Sequence, residues 1–283
     1  MSHVRYKPAA WPQGGELTRP LVPPIEPLMT GAAVSIAGVV VEIVSLRLDA
    51  EVAAMRELEQ CLSDEERARA GRFVFERDRR RFIVGRARLR HLLATRLGVQ
   101  PDAVEFVYGP RGKPGLSRRF SDLRFNVSHS EGVAVYAFSR GREIGVDVEA
   151  IRELRDADEI AARFFSCREN EAYRALEPDD RAQGFFNCWT RKEAFIKALG
   201  DGLYYPLDLF DVSLAMDEPA RILRVGDVPG DRCGWLLCSF VPLPGYVGSV
   251  VIESPARHGE SAVPLLRPAI VRNTGDARPD LER

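Results

Sequence analysis

The sequence predicts an α+β fold made of two halves, roughly residues 36–143 and 144–254. Two observations support this prediction: each half contains segments with strand-like alternation, and each contains longer segments with the apolar spacing of helices. The 283 residues, 45% of them hydrophobic and 29% charged, are typical of a soluble globular enzyme. This length accommodates one large domain or two domains of about 120 residues each.

The first half follows a Pro-rich segment, residues 1–35, that is predicted to be an extended arm. Ser63, followed three residues later by Glu66, predicts the start of a helix whose apolar spacing continues to about residue 97 and stops at Gly98. The other predicted elements are strands at 38–48, 104–108, 123–127 and 133–138, and a loop from Gly109 to Gly115.

The second half begins with an alternating strand and then becomes helical. The predicted elements are a strand at 144–149, helices at 156–164, 167–176 and 181–199, and strands at 209–214, 235–241 and 246–252. From residue 255 to residue 283 the chain is polar again and is predicted to be a flexible tail.

Composition argues against several classes of protein. The 40 Lys and Arg against 41 Asp and Glu leave a net charge of −1, which argues against nucleic-acid binding. No apolar run approaches the ~18 residues of a membrane span, and the N-terminus lacks a signal core, so a cytoplasmic protein without a membrane partner is expected. Metal-binding spacing is absent among the scattered cysteines and histidines, which are Cys61, Cys167, Cys188, Cys233, Cys238, His3, His91, His129 and His258.

Lysine is rare in this chain. Of the 40 basic residues 36 are Arg, and the four lysines are Lys7, Lys113, Lys192 and Lys197. Where the sequence keeps Lys, a compact ammonium is favoured over a planar guanidinium; the alternative is chance.

An acidic strand and a helix carry the candidate metal ligands. The alternation of residues 144–149 places Asp147 and Glu149 on one strand face, where two carboxylates about 7 Å apart can converge on Mg²⁺. The alternative is an ordinary exposed strand edge. In the predicted helix, Glu193 and Lys197 are four residues apart and so lie on one face. Either Glu193 is a third metal ligand and Lys197 binds a phosphate, or the two form a surface ion pair worth ~0.3–0.5 kcal/mol. Together these residues match the needs of a Mg²⁺–diphosphate site.

The first half carries candidate phosphate ligands. The loop from Gly109 to Gly115 holds Arg111 and Lys113 but lacks the spacing of a P-loop. Ser128 and His129, at the end of a strand, can donate to phosphate oxygens. Residues 63–90 contain ten Arg against five acids, which is either a solvated helical face or a phosphate-holding surface. The arginines clustered there are Arg67, Arg69, Arg72, Arg77, Arg79, Arg80 and Arg81.

Taken together, these motifs resemble a known family. Residues 125–130 (FNVSHS), 144–149 (IGVDVE) and 189–197 (WTRKEAFIK) stand in the order and spacing of the 4′-phosphopantetheinyl transferases. The likeness is closer to the larger, pseudo-dimeric type that primes carrier proteins of peptide, polyketide and fatty-acid synthesis. It extends over about residues 60–215 and includes the GKP motif at 112–114.

The resemblance implies two similar α+β halves, an internal pseudo-dimer, with coenzyme A in the cleft between them. The implied reaction moves 4′-phosphopantetheine from coenzyme A to a Ser of an apo acyl or peptidyl carrier protein and releases adenosine 3′,5′-bisphosphate. Asp147, Glu149 and Glu193 would bind Mg²⁺, with Glu193 also accepting the Ser proton. Lys197 would contact the diphosphate and stabilise the leaving phosphate.

The resemblance also implies a set of coenzyme A ligands. These are Arg69, Arg81, Arg111, Lys113, Pro114, Asn126, Ser128, His129 and Lys197. The chain departs from the family at Glu66, where some members carry a cation, and which of Arg79, Arg80 and Arg81 replaces that cation stays open. A chain that completes its own cleft is expected to be a monomer.

Three other functions are compatible with parts of the sequence. The first is a catalytically degenerate module that binds coenzyme A or a carrier protein, against which the intact acidic residues and Lys197 argue. The second is a different Mg²⁺-dependent phosphotransferase, against which the absence of a P-loop and of kinase motifs argues. The third is an Arg-rich nucleic-acid binder, which the net charge disfavours.

Overall fold

The computed structural model describes residues 29–49, 55–120, 122–200, 205–230 and 233–255. The predicted arm at 1–35 and the predicted tail at 255–283 lie outside these ranges, apart from residues 29–35 and residue 255. Among the helices that the structure describes, none combines the length and the apolar character that a membrane span requires.

The first half is a four-stranded antiparallel sheet, in the order β1-β2-β6-β5, with helices and a small hairpin, β3-β4. Its elements are β1 (Met29–Ile36), β2 (Val39–Arg47), α1 (Met55–Gln60), α2 (Asp64–Ala70), α3 (Glu76–Leu97), β3 (Phe106–Tyr108), β4 (Pro114–Leu116), β5 (Leu123–Ser130) and β6 (Val133–Arg140).

Three predictions for this half are wrong in part. Residues 29–35 of the predicted arm belong to β1, which pairs antiparallel with β2 along its whole length. The predicted loop ends at Lys113, because Pro114 begins β4. The predicted single helix is two helices separated by residues 71–75, in which Val74 is 89% exposed and Phe75 is extended. Apolar spacing continues through this break, and so it suggested an uninterrupted helix.

The predicted helix ends are confirmed. Ser63 caps α2, and the Glu66 side chain bonds back to the Ser63 amide, so both partners of the capping box are present. Helix α3 ends at Gly98, which has a φ of 68°. Capping residues predict helix ends reliably because they supply hydrogen-bond partners for the terminal backbone groups, which have none within the helix.

The second half has a three-stranded sheet, β11-β12-β7, and a smaller one, β10-β9-β8. The three predicted helices and the predicted strands are present. The elements are β7 (Ile144–Ala150), α4 (Ala157–Phe164), α5 (Cys167–Arg174), α6 (Arg181–Leu199), β8 (Phe210–Val212), β9 (Ile222–Val225), β10 (Val228–Pro229), β11 (Trp235–Phe240) and β12 (Tyr246–Glu253).

One strand order occurs in both halves. In each half one strand before the long helix (β2 before α3, β7 before α6) shares a sheet with the half's last two strands (β5 and β6, or β11 and β12). In both sheets the last strand lies in the middle of these three, giving β2-β6-β5 and β7-β12-β11. The order is therefore the same although the short elements differ.

The two sheets pack against each other, and each long helix covers the outer face of its own sheet. The layer between the sheets contains Val41, Ile43, Val135, Ala137, Ile144, Val146, Val148, Val250 and Ile252, all at most 5% exposed. Burying one such aliphatic side chain stabilises the fold by about 1.5–3 kcal/mol. This layer therefore holds the first strand of the second half, β7, against the first half.

A buried lysine anchors α6 within its own half. Lys192 is 0% exposed and pairs with Glu169 at 2.7 Å. Its Nζ atom also donates to the carbonyl oxygens of Leu207 and Phe210, each at 2.7 Å. Glu169 accepts in turn from the amide of Val212 at 2.7 Å. A buried ion pair is tolerated when its remaining hydrogen bonds are satisfied in this way.

Candidate active site

Strand β7 presents two carboxylates to the long helix of its own half. Its residues alternate as predicted: Ile144, Val146 and Val148 are buried between the sheets, so the opposite face carries Asp147 and Glu149. Asp147 is only 3% exposed, and the strand is therefore not an ordinary exposed edge. A carboxylate with so little access to water needs polar or charged partners.

Helix α6 lies directly on β7 because Gly145 has no side chain. A Cβ atom at Gly145 would stand 2.1 Å from the carbonyl oxygen of Ala194 and 2.3 Å from the amide nitrogen of Ala198. Glu193 and Lys197 immediately precede these alanines, so the same contact sets both beside the strand. A larger residue at position 145 would push the helix away from the carboxylates.

Lys197 meets Asp147 at this contact. Its Nζ atom donates to Oδ1 of Asp147 at 2.6 Å and to Oγ of Ser128 at 3.0 Å. Ser128 donates to the same Oδ1 at 2.7 Å, so β5, β7 and α6 meet at one oxygen atom. Burial lowers the pKa of Lys197, but the nearby carboxylates, Asp147 foremost, raise it by more, and the resulting pKa lies above its ordinary value.

Asp147, Glu149, Glu193 and Lys197 form what we call the carboxylate–lysine cluster. Burial, reinforced by the charges of Asp147 and Glu149 and opposed by Lys197, raises the pKa of Glu193 to about 7. Burial and the charge of Asp147 also raise the pKa of Glu149. Three carboxylates thus crowd around one ammonium, and their mutual repulsion favours protonation of one of them, here Glu193.

Glu149 is held by side chains that the sequence prediction left out. Ser130, at the end of β5, donates to Oε2 of Glu149 at 2.7 Å and accepts from the amide of Ala150 at 3.3 Å. Arg152 lies 3.6 Å from the same Oε2. The sequence does contain a signal for Ser130, because it stands two residues after Ser128 and so on the same strand face.

Two oxygen atoms of the cluster lack a hydrogen-bond donor. Oδ2 of Asp147 and Oε1 of Glu193 are buried without a partner in the part of the chain that the structure describes. Such atoms are costly to bury unless a cation binds them, and carboxylate oxygens are the ligands that Mg²⁺ prefers. Within the described ranges no three His, Cys, Asp or Glu side chains stand as a ready-made ligand group. The cluster thus fits a hard divalent cation through the chemistry of these two oxygens.

His129, exposed near the end of β5, lies close to other basic groups. Desolvation and the positive charges of Lys197 and Arg69 lower its pKa, against the opposing charge of Asp147. Arg69 stacks over the ring of Phe82, with Cζ 5.2 Å from the ring centroid. The predicted phosphate ligands Arg69, His129 and Lys197 therefore lie near one another.

The structure distinguishes the three consecutive arginines of α3. Arg81 lies beside the turn between β5 and β6. A Cβ atom built on Gly132 in that turn would be only 2.7 Å from the Nη2 atom of Arg81. It pairs there with Asp49 at 2.8 Å. Arg79 and Arg80 pair instead with acids in α1 and at the start of α3. Arg81 is thus the arginine of the three that stands beside the end of β5.

Glu66, at the position where the chain departs from the resembled family, is buried in the first half. It is 6% exposed and accepts hydrogen bonds from Arg86 and, at 2.7 Å, from Arg90. Burial raises the pKa of Glu66, but Arg90, the Ser63 amide and Arg86 lower it by more. This carboxylate therefore fixes α2 to α3 and does not stand in for a phosphate ligand.

Asn126 joins the two halves. It is 5% exposed, and its Oδ1 atom accepts a hydrogen bond from the amide of Val146 at 2.9 Å. Like Ser130, it satisfies a backbone amide at the edge of β7. The expected role of Asn126 in an adenosine pocket stays a prediction.

The loop between β3 and β4 contains the remaining predicted ligands. Arg111 is exposed in the turn, and Pro114 is the first residue of β4. Lys113 does not face outward: its Nζ atom donates to Oε2 of Glu143 and to two backbone carbonyl oxygens of the second half. The predicted contacts of Arg111 and Pro114 with coenzyme A stay predictions.

Comparison with known proteins identifies a family. Residues 143–233 match the model of the 4′-phosphopantetheinyl transferase superfamily, and residues 50–140 match that of the 4′-phosphopantetheinyl transferase N-terminal region. The two matches meet where β6 passes to β7, so each model matches part of one half.

Three relatives illustrate the range of similarity. The 4′-phosphopantetheinyl transferase HetI of Nostoc sp. (strain PCC 7120) is 40% identical over 207 residues, 72% of this chain and 84% of the relative. The transferase Sfp of Bacillus subtilis (strain 168) is 30% identical over 194 residues, 69% and 83% of the two chains. The L-aminoadipate-semialdehyde dehydrogenase-phosphopantetheinyl transferase of Xenopus laevis is 31% identical over 177 residues, 58% and 59%.

The fold, the carboxylate–lysine cluster and these similarities define an enzyme of phosphopantetheine transfer. The chain belongs to the 4′-phosphopantetheinyl transferase family, in its Sfp-like type. Its activity is the transfer of a phosphopantetheine group to carrier proteins.

Proposed function

We propose that the chain takes 4′-phosphopantetheine from coenzyme A and attaches it to a serine of an apo acyl or peptidyl carrier protein, with Mg²⁺, releasing adenosine 3′,5′-bisphosphate. The observation that carries this proposal is the contact of α6 with β7, which brings Lys197 to 2.6 Å from Asp147 and sets Glu193 beside them. Attack on a diphosphate needs neutralised phosphate charge and a deprotonated hydroxyl, and this cluster offers groups for both.

Asp147, Glu149 and Glu193 are the proposed ligands of Mg²⁺. When bound, the ion supplies charge neutralisation on the diphosphate of coenzyme A. The two buried carboxylate oxygens without a donor and the raised pKa values of Glu149 and Glu193 support this assignment, because a cation would relieve both. Ser130, which donates to Glu149, would orient that ligand from β5.

Glu193 is the proposed general base. In the metal-free protein the pKa of Glu193 is raised to about 7. A bound cation would lower this pKa, and the ionised carboxylate would then be available to accept a proton at neutral pH. It takes the proton of the serine hydroxyl, directly or through a water. The serine oxygen then bonds to the phosphorus that bears the pantetheine, and the bond from that phosphorus to adenosine 3′,5′-bisphosphate breaks. Lys197 stabilises the charge that develops on the departing phosphate.

The basic groups near the end of β5 are the proposed ligands of the coenzyme A phosphates. Arg69, Ser128 and His129 would hold them. Glu66 stands where some members of the family carry a cation, and Arg81 is proposed to supply that positive charge instead. This assignment is supported by the short distances between these groups. Lys197 donates a hydrogen bond to Ser128 at 3.0 Å, and the positive charges of Lys197 and Arg69 both lower the pKa of His129. Arg111, Pro114 and Asn126 are proposed to border the adenine end.

The halves are proposed to form an internal pseudo-dimer, with boundaries near 36–143 and 144–254 and the active site in the cleft between them. The common strand order, β2-β6-β5 and β7-β12-β11, supports this. Ser128 comes from the first half and the cluster from the second, so one chain supplies both sides and a monomer suffices. The cysteines that the structure describes are free thiols, which supports the proposed cytoplasmic location.

Mass spectrometry of a carrier protein tests the proposal. An apo carrier protein incubated with the chain, coenzyme A and Mg²⁺ is expected to gain the mass of one phosphopantetheine, located on a serine by peptide mapping. Glu193→Gln should abolish the gain, whereas Glu171→Gln, on the exposed face of α5, should leave it intact. Binding of coenzyme A without a mass gain across a panel of carriers would favour the degenerate binding module instead.

A further inference from the structure

Lys113 is fully engaged by the protein. Its Nζ atom donates to Oε2 of Glu143 at 3.1 Å, to the carbonyl oxygen of Ile144 at 3.2 Å and to the carbonyl oxygen of Ala198 at 3.1 Å. An ammonium group carries three protons, so these acceptors account for all of them. No donor is left over for a phosphate in this arrangement.

The acceptors lie on the two elements that build the active site. Ile144 is the first residue of β7, three positions before Asp147, and Ala198 directly follows Lys197 at the end of α6. The carbonyl groups of the last helical turn lack partners within the helix and attract a cation. One side chain from the first half thus ties the start of the strand to the end of the helix.

The chemistry of lysine suits this position. The chain uses Arg at 36 of its 40 basic positions, and the lysines that the structure describes donate to oxygens on more than one element. Lys192 reaches two carbonyl oxygens and Glu169, and Lys197 reaches Ser128 and Asp147. The lysine ammonium is compact and can rotate its three protons toward acceptors that surround it. The donors of a planar arginine guanidinium lie in one plane and cannot reach all of these acceptors.

We propose that Lys113 is a positioning residue: it clamps the beginning of β7 to the end of α6 and so fixes Lys197 and Glu193 against Asp147, instead of binding coenzyme A. This inference rests on the proposed function. It is an alternative to the expectation that Lys113 holds a phosphate of coenzyme A. The Lys113 side chain is 20% exposed, and this partial burial lowers its pKa against the opposing charge of Glu143.

Kinetics distinguish a clamp from a phosphate ligand. In Lys113→Met the single-turnover rate at saturating coenzyme A should fall roughly tenfold or more, since small misplacements of catalytic groups are costly, while the KM for coenzyme A stays near that of the wild type. Lys113→Arg should not restore the rate. Arg140→Met, which removes an exposed pairing with Asp122, should change neither quantity.

The opposite pattern overturns the proposal: a raised KM for coenzyme A with an unchanged rate, restored by Lys113→Arg, identifies a phosphate ligand. Unchanged kinetics in Lys113→Met also overturn it. If that variant does not fold, Glu143→Gln decides, because it weakens one of the three contacts outside the cluster and should lower the rate without raising the KM.

Hydrogen exchange supplies a readout that does not require transferase activity. The amide of Gly200 bonds to the carbonyl oxygen of Ile196 at 3.0 Å, and it should exchange faster in Lys113→Met than in the wild type without coenzyme A or metal. Equal exchange contradicts the clamp. If the wild type fails to modify any carrier protein, the proposed function fails, yet this measurement still tests the contact.

Discussion

Replacing Glu193 by Gln should stabilise the metal-free protein at alkaline pH while abolishing activity. The pKa of Glu193 rises from its ordinary value of 4.5 to about 7 in the folded protein. The folded state therefore binds this proton more tightly than the unfolded chain, and the free energy of unfolding falls as the pH rises from about 4.5 to about 7. At about 1.4 kcal/mol for each pKa unit, the loss amounts to at most about 3 kcal/mol.

Urea unfolding at pH 5 and pH 8, in the presence of EDTA, measures this effect. Glu193→Gln cannot ionise, so it should be up to about 3 kcal/mol more stable than the wild type at pH 8 and nearly equal to it at pH 5. Glu171→Gln should match the wild type at both values. With Mg²⁺ at pH 8 the wild type should gain thermal stability, because a ligand of the folded state stabilises it, and Glu193→Gln should gain less. A Gln variant that is less stable at pH 8 would refute the reasoning.

Three further variants test the contacts around the cluster. Gly145→Ala should cost roughly 1–3 kcal/mol by overpacking and should abolish transfer, because its Cβ atom would overlap the backbone of α6; urea unfolding and the mass assay measure both. Lys192→Met should cost about 3–5 kcal/mol, because it leaves the carboxylate of Glu169 buried without its partner, again measured in urea. Arg81→Met should raise the KM for coenzyme A roughly tenfold, in line with a charged hydrogen bond of about 1.5–3 kcal/mol, whereas Arg80→Met should not.

Each of these three predictions has a control variant or an outcome that would contradict it. Gly31→Ala places its Cβ atom 4.0 Å from Val44, an ordinary contact, and should leave stability almost unchanged; an equal loss at Gly31 and Gly145 would contradict the account of the helix contact. If Lys192→Met were as stable as the wild type, the buried pair would not anchor α6. Equal KM values for the two arginine variants would remove Arg81 from the proposed site.

Local patterns in the sequence predicted the parts of the site that depend on one element. The alternation of residues 144–149 placed Asp147 and Glu149 on one face, and the cap at Ser63 marked the start of α2 correctly. Such patterns reflect hydrogen bonding and burial within a few residues, so they can be recognised without knowing the fold.

The features that the sequence did not reveal depend on contacts between distant segments. Lys113 stands next to Gly and Pro, and nothing nearby shows that the carbonyl group of Ala198, 85 residues later, lies 3.1 Å from its Nζ atom. The role of Gly145 depends likewise on where α6 crosses β7. The break between α2 and α3 escaped prediction because residues 73–75 are apolar but exposed, and the spacing of apolar residues does not show whether they are buried.

The edge of β7 that faces β5 has a consequence for how a partner can approach. Side chains of Asn126 and Ser130 already accept hydrogen bonds from the amides of Val146 and Ala150. A visiting segment would therefore have to displace these two hydrogen bonds to extend the sheet there by strand addition, which relies on free backbone groups. A partner is thus expected to reach the neighbourhood of Asp147 with a side chain, such as the carrier-protein serine of the proposed reaction.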